Sequence, residues 1–190
     1  MNQLPISQLP IMEEQEATGE IKQIFDDIRR EMEVPFVPVI YKVLATSPMA
    51  LTSTWETLRN VQLRSTLPPS LVNMIGLAVS STNRCPYCTT YFKISCKTLG
   101  VDEETLEALA SDFEVLSPRR VQEVIKFAVK CAATPLDLTQ ADYERVREVG
   151  VSDEELLEIV ALAAVCNFTN TLARALKVQT DPLFVQAPER

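Results

Sequence analysis

The chain's most recognisable chemical pattern is Cys85-Pro86-Tyr87-Cys88, two thiols three residues apart. On the first turn of a helix such a pair can close a strained, reducible disulfide, so it can accept and pass on electrons. Pro86 suits a first helical position, which makes Cys85 the N-cap. There the unpaired backbone N–H groups and the helix dipole favour a thiolate. The same spacing also fits two ordinary buried thiols. Local charge favours reactivity. Between Thr57 and Val101 there is no Asp or Glu, whereas Arg59, Arg64, Arg84, Lys93 and Lys97 are all basic. A solvated basic face has the same composition, but a positive neighbourhood lowers a thiol's pKa, and Arg84 beside Cys85 is the expected cation.

Other chemistry is restricted by what the 190 residues lack. There is no histidine, which removes Ser-His-Asp and Cys-His catalysis and histidine metal triads together. No phosphate-cradling glycine motif occurs. A net charge of −8 argues against nucleic acid as a partner. The remaining cysteines are scattered singly. Cys96 lies about 12 Å from Cys88 along an unbroken helix, too far for a disulfide. Cys131 and Cys166 sit on apolar helix faces and read as core. With no second C-x-x-C, neither zinc nor another cofactor is expected.

The elements that must position the pair are helices. Residues 14–32 place Ile21, Ile24, Phe25, Ile28 and Met32 on one face, and Pro35 and Pro38 end that stretch. Ser47-Pro48 opens a second helix to about residue 64, and Leu67-Pro68-Pro69 precedes an apolar one over 71–79. Gly100 stops a helix and Asp102 caps the next. Ser117-Pro118 starts a helix to about 133, and Thr139 with Asp142 starts one that ends at Gly150. Ser152 with Glu155 makes a capping box for a last helix over 153–176. Its apolar middle should be buried in the core or between subunits. Gly100-Val101-Asp102 and Gly150-Val151-Ser152 record either a repeated hairpin or one stop-and-start device used twice. No β-alternating run of useful length is present. The expectation is an all-α fold, one domain over 1–190, with an N-terminal arm of about 1–33 packed on the core.

Residues 1–10 show no basic, apolar leader pattern. The longest mostly apolar run, 159–168, is about half the roughly 20 residues a bilayer requires. A cytoplasmic chain with reduced thiols and no membrane partner is therefore expected. Cys-Pro-Tyr-Cys alone would suit a glutaredoxin, but that fold needs a strand before the motif and a βαβ framework, and here helices stand on both sides.

The surrounding pattern resembles the alkyl hydroperoxidase D-like branch of the carboxymuconolactone decarboxylase superfamily, along almost the whole chain. Ala17-Thr18-Gly19-Glu20 with its amphipathic helix looks like the N-terminal segment of that family. Leu67-Pro68-Pro69, the apolar helix and Asn83-Arg84-Cys85-Pro86-Tyr87-Cys88 look like its core. Gly150 to Glu155, followed by Ala163-Ala164-Val165-Cys166-Asn167-Phe168-Thr169-Asn170, resembles its closing helix. The resemblance implies an all-helical homo-oligomer. Cys85 and Cys88 would be catalytic, acting on a peroxide or disulfide substrate with a thiol or dithiol protein as electron donor, in an antioxidant role. The family's proton relay, a Glu twelve residues before the first Cys and a His four after the second, falls here on Asn73 and Phe92. Without that base at Cys88, Cys85 is the expected more reactive thiol. Two other readings compete: an oligomeric scaffold or small-molecule-binding member with a decayed site, and a non-redox decarboxylase-like member. Asn167 and Asn170 are expected to hydrogen-bond between helices, and Trp55 to lie in the core or an interface.

Overall fold

Prolines and capping side chains divide the chain into α1 (Gly19–Glu31), α2 (Val39–Leu44), α3 (Pro48–Leu58), α4 (Pro69–Thr82), α5 (Pro86–Thr98), α6 (Glu103–Ser111), α7 (Arg119–Ala133), α8 (Gln140–Glu148) and α9 (Asp153–Ala175). The computed structural model describes residues 6–181, and among these there is no strand. The outer ends of the expected 1–190 domain, and half of the segment read for a leader, lie outside the described residues.

The caps act where the sequence places them. The Ser47 hydroxyl accepts from the Ala50 amide, the Asp102 carboxylate from the Thr105 amide, and the Thr139–Asp142 and Ser152–Glu155 boxes both close. Two elements differ from expectation. The stretch 14–32 is split, because Ala17 and Thr18 are extended between the 3-10 turn Glu14–Glu16 and α1. Helix α2 gives no sequence signal: it has six residues, five of them buried, so no polar face marks a period. Helix α3 runs on through one π-helical turn, Arg59–Leu63.

One contiguous core runs from Ala17 to Val178. At its centre is α4, buried from Met74 to Ser80 and packed against α5, α6, α7 and α9. Its one glycine makes this possible. A Cβ on Gly76 would stand 2.3–2.5 Å from three ring atoms of Phe92, so α5 can lie this close to α4 only because Gly76 has no side chain.

Gly100 and Gly150 adopt the same left-handed conformation, φ 81° and 80°. The following Val101 and Val151 amides donate to the Cys96 and Val146 carbonyls, the same helix-ending bond in both places. Helix α9 buries Ile159, Leu162, Ala163, Cys166, Asn170 and Ala173 and packs on α4, α5 and α7, but leaves Leu157 and Phe168 exposed. The expected burial of its middle is thus met on one side. At 23 residues α9 is long and apolar enough, by length and composition, to cross a membrane. The Glu158 carboxylate of α9 accepts from the Thr66 amide at 2.9 Å and from the Ser65 and Thr66 hydroxyls, which ties down the loop leading into α4.

Candidate functional site

The turn between α4 and α5 is built by residues 83–86. Arg84 takes a left-handed φ of 51°, which reverses the chain. The Cys85 amide then donates to the Ser80 carbonyl, and Cys85 becomes the extended N-cap of α5 with Pro86 in the first turn. Both thiols are free and buried, and their Sγ atoms lie 2.8 Å apart, within reach of one shared hydrogen bond.

That hydrogen bond divides the pair. The Cys88 thiol donating to Cys85 is the main cause that lowers the Cys85 pKa to about 7, against the cost of burial. The Cys88 and Tyr87 backbone amides and the Arg174 charge lower it further. Cys88, which keeps the proton, is pushed well up by the same bond and by burial, offset in part by a hydrogen bond from Asn170. Burial alone raises Cys96 and Cys166 to about 12, and is the main cause that raises half-buried Cys131 to about 11. Cys166 lies in the core as expected and Cys96 is buried too, while Cys131, also expected in the core, is only partly covered.

The expected electrostatics need correction. Lys93 and Lys97 both pair with Glu103, at 3.0 and 2.9 Å, and Arg59 pairs with Asp27 at 2.9 Å. Both acids lie outside the acid-free stretch, Asp27 thirty residues before it and Glu103 just after it, so three of its five basic residues are paired. Arg84 is exposed, and the cation acting on Cys85 is Arg174, on α9. The Arg174 guanidinium donates to the Asn83 carbonyl at 2.9 Å, bringing its charge to the turn.

Helix α9 holds the turn through amides. Asn83 Nδ2 donates to Asn167 Oδ1 at 2.6 Å and to Asn170 Oδ1 at 2.9 Å. Asn170 Nδ2 reaches Ser80 Oγ at 3.1 Å, and Asn167 Nδ2 donates to the Ala132 carbonyl at 2.7 Å. The interhelical bonding expected of Asn167 and Asn170 is present. The contact of Asn170 with Cys88 is an addition that the sequence reading missed. Its only advance signal is an amide at 2% exposure within an apolar helix.

A pocket opens on Cys88, with about 540 Å³ of unfilled space, its open mouth included. Helix α5 contributes Tyr87, Tyr91 and Phe92, the α2–α3 region contributes Ile40, Tyr41, Trp55 and Leu58, and the π turn contributes Gln62 and Leu63. Trp55 is buried as expected, with Nε1 donating to Asp27 Oδ2 at 2.8 Å. Cys85 sits behind Cys88, off the pocket wall. Acidity thus lies with Cys85, the thiol expected to be the more reactive, and access to the pocket lies with Cys88. At the relay positions, Asn73 Nδ2 is spent on the Pro69 carbonyl of its own helix, and Phe92 is packed on Gly76. Among the described residues, no group of three or more Cys, Asp or Glu is placed to hold a metal.

Residues 50–117 match the model of the carboxymuconolactone decarboxylase family. Among solved structures, the alkylhydroperoxidase AhpD core of an uncharacterised peroxidase-related protein from Ralstonia eutropha JMP134 is 23% identical, with a TM-score of 0.86 over 96% of each chain. An uncharacterised peroxidase-related protein from Silicibacter sp. TM1040 is 22% identical, also with a TM-score of 0.86, over 100% of this chain and 99% of that one. A Cys-to-Ala variant of the debrominase Bmp8, in complex with 2,3,4-tribromopyrrole, is 18% identical with a TM-score of 0.79 over 97% and 95%. No curated protein matches the chain by sequence. The chain has the AhpD-like all-helical fold, and its residues 50–117 are similar to the carboxymuconolactone decarboxylase family.

Proposed function

We propose that the chain is a thiol-dependent oxidoreductase in which Cys85 and Cys88 cycle between dithiol and disulfide. One observation carries this reading: two free thiols 2.8 Å apart at a helix N-terminus, one made acidic by the other, with the less acidic one on a pocket. The peroxidase-related proteins of the same fold support it.

The pair can carry its own proton. As Cys88 attacks the peroxide, its proton passes to the Cys85 thiolate; the O–O bond breaks, and Cys88 becomes a sulfenic acid. The departing alkoxide takes the proton from Cys85 and leaves as an alcohol. Cys85 then attacks the Cys88 sulfur, hydroxide leaves and is protonated by solvent, and a disulfide remains. A dithiol protein returns two electrons and two protons by exchange. A disulfide substrate would instead form a mixed disulfide with Cys88 and release one thiol, and Cys85 would then attack the Cys88 sulfur and release the second. In this scheme the Cys85 thiolate takes over the base function that Asn73 and Phe92 cannot supply.

One relative is a debrominase bound to a bromopyrrole, and an apolar pocket on Cys88 suits an organic substrate better than hydrogen peroxide. The exposed Leu157 and Phe168 on α9 support a homo-oligomer, and a cytoplasmic, thiol-reducing setting fits the free cysteines. The test is turnover of an organic hydroperoxide with a dithiol reductant. Cys85→Ser and Cys88→Ser should each lower it at least about a hundredfold, the loss expected when a nucleophile is removed, while Cys131→Ser should leave it unchanged. Equal activity in all three variants would move the reading to a scaffold with a decayed site.

A further inference from the structure

The pocket on Cys88 also says what it should bind. Three of the chain's four tyrosines, its single tryptophan and Phe92 line it, so five of the chain's twelve aromatic side chains meet at one place. They form two edge-to-face pairs: Tyr41 with Trp55, centroids 5.8 Å apart, and Tyr91 with Phe92, at 5.1 Å. Ring faces and edges of this kind favour a further ring over an aliphatic chain of equal size.

The walls also carry no charge. None of the lining side chains is Asp, Glu, Lys or Arg. Acids behind the wall are already engaged: Asp27 accepts from the Trp55 indole and pairs with Arg59, and Asp181, which acts on Tyr87, accepts from the Val39 amide. The polar atoms on the lining are phenols, the Gln62 amide and the Thr169 hydroxyl. The Tyr87 oxygen accepts from the Ile40 amide at 3.5 Å, and the Thr169 hydroxyl donates to its own helix. The phenols stay protonated because burial raises them. A carboxylate or ammonium entering here would lose its water and gain no counter-charge.

We infer that this pocket is a binding site for small, uncharged molecules carrying an aromatic ring, and that charged analogues are excluded from it. Ring-bearing neutral hydroperoxides, rather than hydrogen peroxide or charged peroxides, are then the preferred oxidants of Cys88. The binding part stands without the redox reading, and the preference among oxidants rests on it.

Trp55 lies in the wall as the chain's one tryptophan, so its fluorescence reports occupancy directly. The probes are 2-phenyl-2-propanol, benzoate and tert-butanol, titrated into the full chain and into its Cys85→Ser/Cys88→Ser double variant, where no thiol chemistry can intervene. The neutral ring alcohol should change Trp55 emission saturably in both proteins, with benzoate and tert-butanol at least about tenfold weaker, roughly 1.4 kcal/mol or more. Gln62→Lys, placing a cation on the half-buried rim, should narrow or reverse the preference between the alcohol and benzoate. Benzoate binding to the unaltered pocket as tightly as the alcohol would overturn the inference. So would the absence of a saturable change in protein that circular dichroism shows to be folded. Should binding follow the expected order while cumene hydroperoxide oxidises the wild-type pair no faster than hydrogen peroxide, the preference among oxidants falls and the binding site stands.

Discussion

Two cavities show how differently this molecule treats its polar groups. The one on Cys88 measures about 540 Å³ and has neutral walls, while one at the α7–α8 side measures about 600 Å³ and is lined by Glu114, Glu123, Lys126, Phe127, Lys130, Asp142 and Arg145. In the second, every charge finds a partner within the protein. Lys126 pairs with Glu114 at 2.5 Å, Lys130 with Asp142 at 2.7 Å, and Arg145 bridges Asp142 and Glu123. Three acids face three bases, and little field is left over for a ligand. In the first, the reactive groups are two thiols that have mainly each other. The partnering of their side chains distinguishes the two cavities.

Asn170→Ala removes the donor to Cys88 and leaves Asn83 without one acceptor. It should cost about 1–3 kcal/mol of stability and slow oxidation of the thiol pair, read from urea unfolding and from thiol loss after peroxide addition. Unchanged oxidation in a destabilised protein would reduce Asn170 to a purely structural role.

Gly76→Ala should act next. Its helix-propensity gain of about 1 kcal/mol is opposed by the displacement of the Phe92 ring, an overpacking cost of about 1–3 kcal/mol. A net loss in unfolding free energy is expected, along with a changed pocket wall. A more stable protein would show that α5 moves away from α4 at little cost.

Asp142→Ala touches only the charged cavity. Loss of its capping-box role should cost about 1 kcal/mol, with turnover at the thiols unchanged. The pH dependence is separated in the same way. The Asp142 carboxyl is held well below the usual carboxylate range, first by Lys130 and then by the Thr139 amide. Its depressed value means that its stabilising contribution is present above the ordinary carboxylate pKa and is lost as pH falls toward the folded one. Cys85 acts at the other end of the scale: its reactive thiolate forms as pH rises through about 7.

Much of the architecture was legible because it is written locally. Ser47, Asp102, Thr139 and Ser152 each cap within three or four residues of themselves, and Pro86 fixes Cys85 as an N-cap. Where the sequence misled, the cause was distance along the chain. The basic stretch looked unneutralised because its partners, Asp27 and Glu103, sit beyond its two ends. The cation at Cys85 proved to be Arg174, some ninety residues on, brought in by the length of α9. Helix α2 carries no alternation to read, and the pocket draws on four separate helical elements, so neither the ring cluster nor the access to Cys88 is visible in any one segment. The Asn167–Asn170 pair was legible as interhelical bonding, but its contact with Cys88 depends on how closely α5 and α9 approach.

On the proposed function, Cys85 and Cys88 form one redox pair set apart from the other three thiols. Peptide mass analysis after a low dose of peroxide, repeated at several pH values, tests this. Loss of two hydrogens is expected only in the peptide spanning 85–88, at a rate that rises as pH passes through about 7, with Cys96, Cys131 and Cys166 still reduced. Oxidation spread evenly over all five cysteines, or an 85–88 peptide left unchanged while others oxidise, would contradict it.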